Sequence, residues 1–165
     1  NRTALGWLEL AEKEPEALAA ELRGQKKVVL VYGGDPAAHA PVKEALAGCR
    51  VVYVGTHDGA TSELAELVVP ACAWAEKDGL VVNRQGRIQR SQRAILAPGE
   101  AREDWRLWTD LLAAVGEDLE IAGLPALRRL VARELQLPDE DALNRLPGEG
   151  LVPDVTATAP AGGEN

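Results

Sequence analysis

The side chains of this chain with the most chemical potential sit in short turns. Gly33-Gly34-Asp35-Pro36 follows an apolar run, and a glycine-rich turn at the end of a strand can offer backbone N–H groups to phosphate. The pattern stops short of a dinucleotide grip. Positions 35 to 38 read Asp, Pro, Ala and Ala, so a third glycine is missing. Pro36 brings no N–H, and Asp35 sets an anion where a pyrophosphate would lie. A plain strand-to-helix turn is the expectation. His57 and Asp58 have the composition of a general base with an orienting carboxylate. Neighbours on a turn rarely face each other, however, and no Ser or Cys nucleophile accompanies them.

Three further groups carry chemical potential. Glu76 and Asp78 bracket Lys77 at a spacing that suits a divalent cation. The interposed ammonium and the want of a third ligand favour a turn leading into a hairpin. Trp105 and Trp108, three residues apart, could stack on a ring, but an apolar stripe on the same helix accounts for them as packing. Cys49 and Cys72 form no CxxC unit and read as free thiols in a reducing compartment. An iron–sulfur cluster takes about four thiolates, so none is expected within this stretch.

The elements that would position these turns follow from periodicity. Glu14 to Arg23 repeats Leu18, Ala19 and Leu22 at helical spacing and stops at Gly24. Lys27 to Tyr32 and Arg50 to Val54 are short apolar runs of the kind found in fully buried parallel strands, and Leu67 to Val69 is a third, ended by Pro70. Between the first two, Pro41 opens a helix running to Ala47, closed by Gly48. A further short helix begins near Thr61, with Thr61 or Asp58 as its cap. Three βα-type units in series predict a Rossmann-like, doubly wound α/β layer structure. Downstream, Leu80–Val82 and Arg87–Gln89 flank Asn83-Arg84-Gln85-Gly86 as a hairpin. A helix from Glu103 to Gly116 carries Trp105, Trp108, Leu111, Leu112 and Val115 on one face. Another covers Leu124 to Leu137 with Leu127, Leu130, Val131 and Leu135 inward. The expected organisation is a Rossmann-like domain over 1–116, a helical extension over 117–146 and a disordered tail over 147–165.

Composition narrows the function classes. The formal charge of −8 and pI near 4.8 disfavour nucleic acid and anionic lipid as partners. No apolar run approaches the ~18 residues of a membrane span, and Asn1 to Trp7 lack the apolar h-region expected of a signal peptide. The sequence contains no Met, which suggests a segment of a longer protein. With no Phe, the core has to be built from Leu, Val, Ala and Ile.

Three strings together resemble the molybdopterin oxidoreductases. Residues 63–71, Glu-Leu-Ala-Glu-Leu-Val-Val-Pro-Ala, look like that family's "aelADVVLPa". Residues 76–89, EKDGLVVNRQGRIQ, look like "EKdGTfvNteGRvQ", and residues 98–105, PGEAREDW, are similar to "pGeAreDW". Gly33-Gly34-Asp35-Pro36 fits the family's "GxNP" turn, and the resemblance runs from about Lys27 to Val115. Within the superfamily the nearest likeness is to the large iron–sulfur (G) subunits of bacterial NADH:quinone oxidoreductase, complex I.

That resemblance implies a non-catalytic scaffold. As the family is understood, the corresponding half of the G subunit keeps the fold without the molybdenum cofactor. Polar groups have drained from the pocket positions: Gly59-Ala60-Thr61 stands where active relatives carry "TET", Leu80 replaces the Thr after EKdG, and Gln85 replaces the Glu before GR. Gly33, Gly34, Asp35, Pro36, Thr56, His57 and Thr61 would then be the remains of a cofactor pocket. The parent subunit is expected to carry 2Fe-2S and 4Fe-4S clusters, with no ligand from this stretch and no molybdopterin. Its expected partners are other subunits of the peripheral arm, at the cytoplasmic face of the bacterial inner membrane and without insertion into it. The alternative implied by the same likeness is the molybdopterin guanine dinucleotide-binding domain of an active molybdenum or tungsten enzyme, such as a formate dehydrogenase. A free-standing nucleotide-binding module is the third reading.

Overall fold

The computed structural model describes residues 13–24, 27–117 and 121–153 of the chain. These fall into two compact units. One takes the described residues between 13 and 77 together with 94–107; the other takes 78–93 with the described residues from 108 to 153.

The first unit is a three-stranded parallel sheet with helices. Helix α1 spans Pro15–Leu22, with Pro15 in its first turn, where a missing N–H costs nothing. Strand β1 (Val28–Tyr32) leads through a 3-10 turn (Pro36–Ala38) to α2 (Ala40–Leu46) and then β2 (Arg50–Gly55). Helix α3 (Ala60–Leu64) and β3 (Leu67–Pro70) complete the series. The strands lie in the order β1-β2-β3, paired in parallel, with Val29 opposite Val51 and Val54 opposite Val69. The expected α/β class and the βαβ repeat are therefore present.

Burial of these strands differs from expectation. Only β2 is enclosed, with Val51, Tyr53, Val54 and Gly55 buried. Strands β1 and β3 are edges. Val28 is 66% exposed, Leu30 43% and Leu67 54%. An apolar run of β-branched residues signals a strand without telling which of its faces is covered. Here α1, α2 and α3 all pack on one face, where Leu18, Ala19, Val42, Leu46, Ala60 and Leu64 meet Val29, Val31 and Val51.

The second unit is built on a hairpin. Strands β4 (Gly79–Val82) and β5 (Ile88–Ser91) pair antiparallel as the sequence suggests, Val82 opposite Ile88. Its turn is organised by Asn83, whose Oδ1 accepts from the backbone N–H groups of Gln85 and Arg87, both at 2.9 Å. Gly86 supplies the left-handed residue at φ 77°. Helix α5 (Leu124–Glu134) lays Val131, Ala132 and Leu135 against Ile88, Leu80, Val82 and Leu143. Leu127 and Leu130 are half-buried, so its inward stripe is narrower than its periodicity implies.

Two expectations fail here. The chain from Pro147 is not featureless: Leu151 exchanges backbone hydrogen bonds with Ile88 at 2.7 and 2.9 Å, adding a third strand contact to the hairpin. Gly150, at φ 85°, permits that approach, since a Cβ there would strike the Ile88 carbonyl. The remainder of the expected tail, 154–165, lies outside the described residues. The Trp-bearing helix α4 (Asp104–Ala114) buries none of its side chains fully: Trp105 and Trp108 are half-buried, and Leu111 and Val115 face outward.

Candidate functional site

The two turns singled out in the sequence lie at the same, carboxyl end of adjacent strands, and the fold brings them together. Gly33 takes φ 70°, a conformation that suits glycine, and its N–H bonds the Val54 carbonyl at 2.9 Å, extending the β1–β2 ladder by one step. The chain then turns so that Asp35 faces the start of α3.

Helix α3 begins with Gly59, which has no side chain to cap it. Neither Thr61 nor Asp58 takes that role. The cap is Asp35, 25 residues upstream. Its Oδ1 accepts from the Thr61 N–H at 2.8 Å and the Thr61 hydroxyl at 2.6 Å, and its Oδ2 accepts from the Ala60 N–H at 3.2 Å. The Thr61 oxygen in turn accepts from the Ala37 N–H at 3.0 Å, and Thr61 is fully buried. Hydrogen bonds from Thr61, the hydroxyl first and then the amide, hold the Asp35 carboxyl below the usual carboxylate range, with Ala60 and Lys43 adding to the effect. Gly59 makes this possible: a Cβ at that position would lie 2.5 Å from Asp35 Oδ2. Ser62 completes the turn by accepting from the Gly59 N–H at 2.9 Å.

His57 stands apart from this knot. Its Nδ1 lies 2.7 Å from the Thr56 hydroxyl, and both residues are exposed. Its backbone carbonyl accepts from the Tyr53 hydroxyl at 3.0 Å. The Tyr53 ring reaches it by passing over Gly55, where any side chain would collide with the ring. The structure therefore unites Asp35, Pro36 and Thr61, keeps Gly33 and Gly34 at the rim, and leaves Thr56 and His57 on the outer side of the second turn. Tyr53 and Gly55 were not legible as site residues, because an aromatic inside an apolar strand reads as core.

The EKDG string is used entirely for internal bonding. Glu76 Oε2 accepts from the Ala73 N–H at 2.8 Å, Lys77 pairs with Asp104, and Asp78 Oδ1 accepts from the Arg93 N–H at 3.3 Å. Asp104 also faces the Tyr32 hydroxyl, whose pKa is pushed up by burial and by that carboxylate. Among the described residues no three His, Cys, Asp or Glu side chains converge as a metal site. Neither Cys49 nor Cys72 is in a disulfide; the Cys49 thiol approaches the Ala45 carbonyl at 3.6 Å, and burial pushes the Cys72 pKa up.

The paired loops do not fit a phosphorylated cofactor at these amides. The Ala60 and Thr61 N–H groups that would face a phosphate are taken by an internal anion, and Pro36 offers none. Displacing Asp35 would leave a carboxylate beside the incoming phosphate, a like-charge contact.

The fold defines the class first. The chain superposes on acetylene hydratase from Pelobacter acetylenicus with a TM-score of 0.65 at 18% identity, covering 85% of this chain and 21% of that one. Residues 6–114 match the model of the family described as molybdopterin oxidoreductase, and the chain belongs to that family of oxidoreductases. Relatives lie on both sides of the expected division. A nitrate reductase of Klebsiella oxytoca is 38% identical over 107 residues, 61% of this chain and 12% of its own length. The mitochondrial NADH-ubiquinone oxidoreductase 78 kDa subunit of Neurospora crassa is 34% identical over 118 residues, 71% of this chain and 14% of its own. The F420-dependent formate dehydrogenase 2 subunit alpha of Methanococcus maripaludis is 45% identical over 56 residues, 34% of this chain and 8% of its own. The chain thus spans roughly an eighth of the first two. No helix among the described residues is long and apolar enough to cross a membrane.

Proposed function

We propose that this stretch is a non-catalytic scaffold segment of the large iron–sulfur subunit of an NADH:quinone oxidoreductase, supporting electron transfer from NADH to quinone through clusters held elsewhere in that subunit. The observation that carries the reading is the Asp35 carboxylate seated on the Ala60 and Thr61 amides. A cofactor-gripping loop would keep those donors free for phosphate. Gly59 clears the room that Asp35 occupies, so the internal carboxylate and the loss of a side chain at position 59 act as one change. The likeness to the NADH-ubiquinone oxidoreductase 78 kDa subunit, over 71% of this chain, supports the narrower assignment. In this reading the partners are other peripheral-arm subunits on the cytoplasmic face of the inner membrane, and molybdopterin is absent.

The second reading is the guanine dinucleotide-binding domain of an active molybdenum or tungsten enzyme. The likeness to nitrate reductase and to formate dehydrogenase favours it about as strongly as the first is favoured by its own relative. Elemental analysis of the full-length polypeptide separates the two. The scaffold reading expects iron without molybdenum or tungsten; a stoichiometric signal for either metal overturns it. Calorimetry with GDP gives a second measure, with no heat of binding expected for the native protein.

A further inference from the structure

Helix α5 carries three arginines whose surroundings differ. Arg129 pairs with Asp141 and Arg133 with Glu140, both at 2.8 Å. Arg128 is half-buried, yet it makes no hydrogen bond or ion pair among the described residues. A guanidinium has five donors, and one drawn partly out of water ordinarily has an acceptor on it.

The place of Arg128 follows from two periodicities. Positions 128, 131, 132 and 135 share one side of α5, where Val131, Ala132 and Leu135 pack on Leu80, Val82 and Ile88 of the hairpin. Register sets Leu80 opposite Arg90, so both project from that same hairpin face. Asp78, two residues before Leu80, falls on it as well. Arg128, one turn before Val131 and Ala132, comes to this polar margin of the core. Burial lowers its pKa most, the neighbouring Arg90 lowers it further, and Asp78 raises it.

The charges at this margin do not balance. Arg90 is exposed, and its Nη2 donates to the Asn144 carbonyl at 3.2 Å, which holds the side chain without neutralising it. Asp78 is engaged already, since its Oδ1 accepts from the Arg93 N–H at 3.3 Å. Two guanidiniums therefore share one carboxylate, and a positive charge is left over in a chain of net charge −8.

We infer that Arg90 and Arg128 form a docking point for one carboxylate, an Asp or Glu side chain presented by another subunit. The inference rests on the reading of this chain as part of a multi-subunit oxidoreductase, and it names the chemistry of a partner there. One carboxylate closes the charge count. A phosphorylated surface overshoots it beside Asp78, and the chain's net charge repels polyanions. A free carboxylate meets two guanidiniums in competition with water and binds weakly. Carried on a docked protein, the same group is held at high effective concentration, and the guanidinium fork fixes its orientation. A lone positive spot on an acidic molecule also sets the register of docking more than its strength.

The test uses the assembled complex containing the full-length polypeptide. Arg90→Gln combined with Arg128→Gln is expected to weaken retention of that polypeptide at least about tenfold at about 0.15 M salt. Arg129→Gln, on the outward side of α5, is expected to leave retention unchanged. Arg90→Lys and Arg128→Lys keep the charge and supply an amine, which a carbodiimide joins to a carboxylate in contact. Peptide mass spectrometry is expected to find position 90 or 128 linked to an Asp or Glu of another polypeptide. Unchanged retention of the double Gln variant, in protein whose circular dichroism matches the parent, overturns the inference. Linkage confined to this polypeptide, Asp78 included, or no linkage at all, overturns it equally. Molybdenum or tungsten content bears on the scaffold reading alone, so the two failures are told apart.

Discussion

The sheet unit and the hairpin unit solve the problem of a small core in opposite ways. The sheet unit concentrates its polar bonding at one end, where Asp35, Ala37, Ala60 and Thr61 are tied together, and leaves Val28, Leu30 and Leu67 of its edge strands exposed. The hairpin unit closes its apolar side with α5 and Leu151 and spreads its charges outside, as Arg129–Asp141, Arg133–Glu140 and Arg145–Asp139 pairs. Exposed ion pairs of that kind add little stability, whereas uncovered aliphatic surface and saturated buried donors constrain what a region can bind. The lesson is that the string most diagnostic of the family, EKDG through GRIQ, performs structural work. The turns with phosphate-site composition are closed on themselves.

The largest test of this contrast is core truncation. Leu143→Ala in the hairpin unit and Leu46→Ala in the sheet unit each remove a fully buried side chain. Each is expected to cost about 2–5 kcal/mol in urea unfolding. A cost near zero at Leu143 would mean that the hairpin unit has no core of its own. Next comes Gly150→Ala, which combines a left-handed backbone with a collision against the Ile88 carbonyl. About 1–3 kcal/mol is expected, read as a lower urea midpoint and as loss of protection at the Ile88 amide.

The Asp35 brace is a smaller and pH-dependent effect. Its folded-state pKa is lowered, so its contribution is present above the ordinary carboxylate value and lost as pH falls through the lowered one. The Thr61 and Ala60 amide resonances are expected to titrate together below the ordinary aspartate value of about 3.9. In Asp35→Asn that titration vanishes, and stability at neutral pH falls. An unchanged Thr61 profile would separate Asp35 from the helix start. Smallest of all is Glu140→Gln, which breaks an exposed pair and is expected to leave the urea midpoint unchanged.

Much of this was open to reading from residues alone. The βαβ order, the hairpin and Asp35 as an anion in a would-be phosphate site all follow from local pattern, because alternation, turn residues and charge are properties of short segments. The cap of α3 was not, since it comes from Asp35, 25 residues before Ala60, rather than from Thr61 or Asp58. Nor was the pairing of Lys77 with Asp104, although both lie in family-like strings. Separation along the chain hides such partners from any rule of spacing.

What the sequence determined by itself is the set of elements and the chemistry of their ends: three apolar β-rich runs, glycines where the backbone must turn left-handed, and an acid in the first loop. The tertiary structure alone decided which face of each strand is covered, and that Leu151 would complete the hairpin. Periodicity records whether a side chain is apolar. Burial also depends on which helix the crossover lays against it, and that choice is made by strand order in three dimensions.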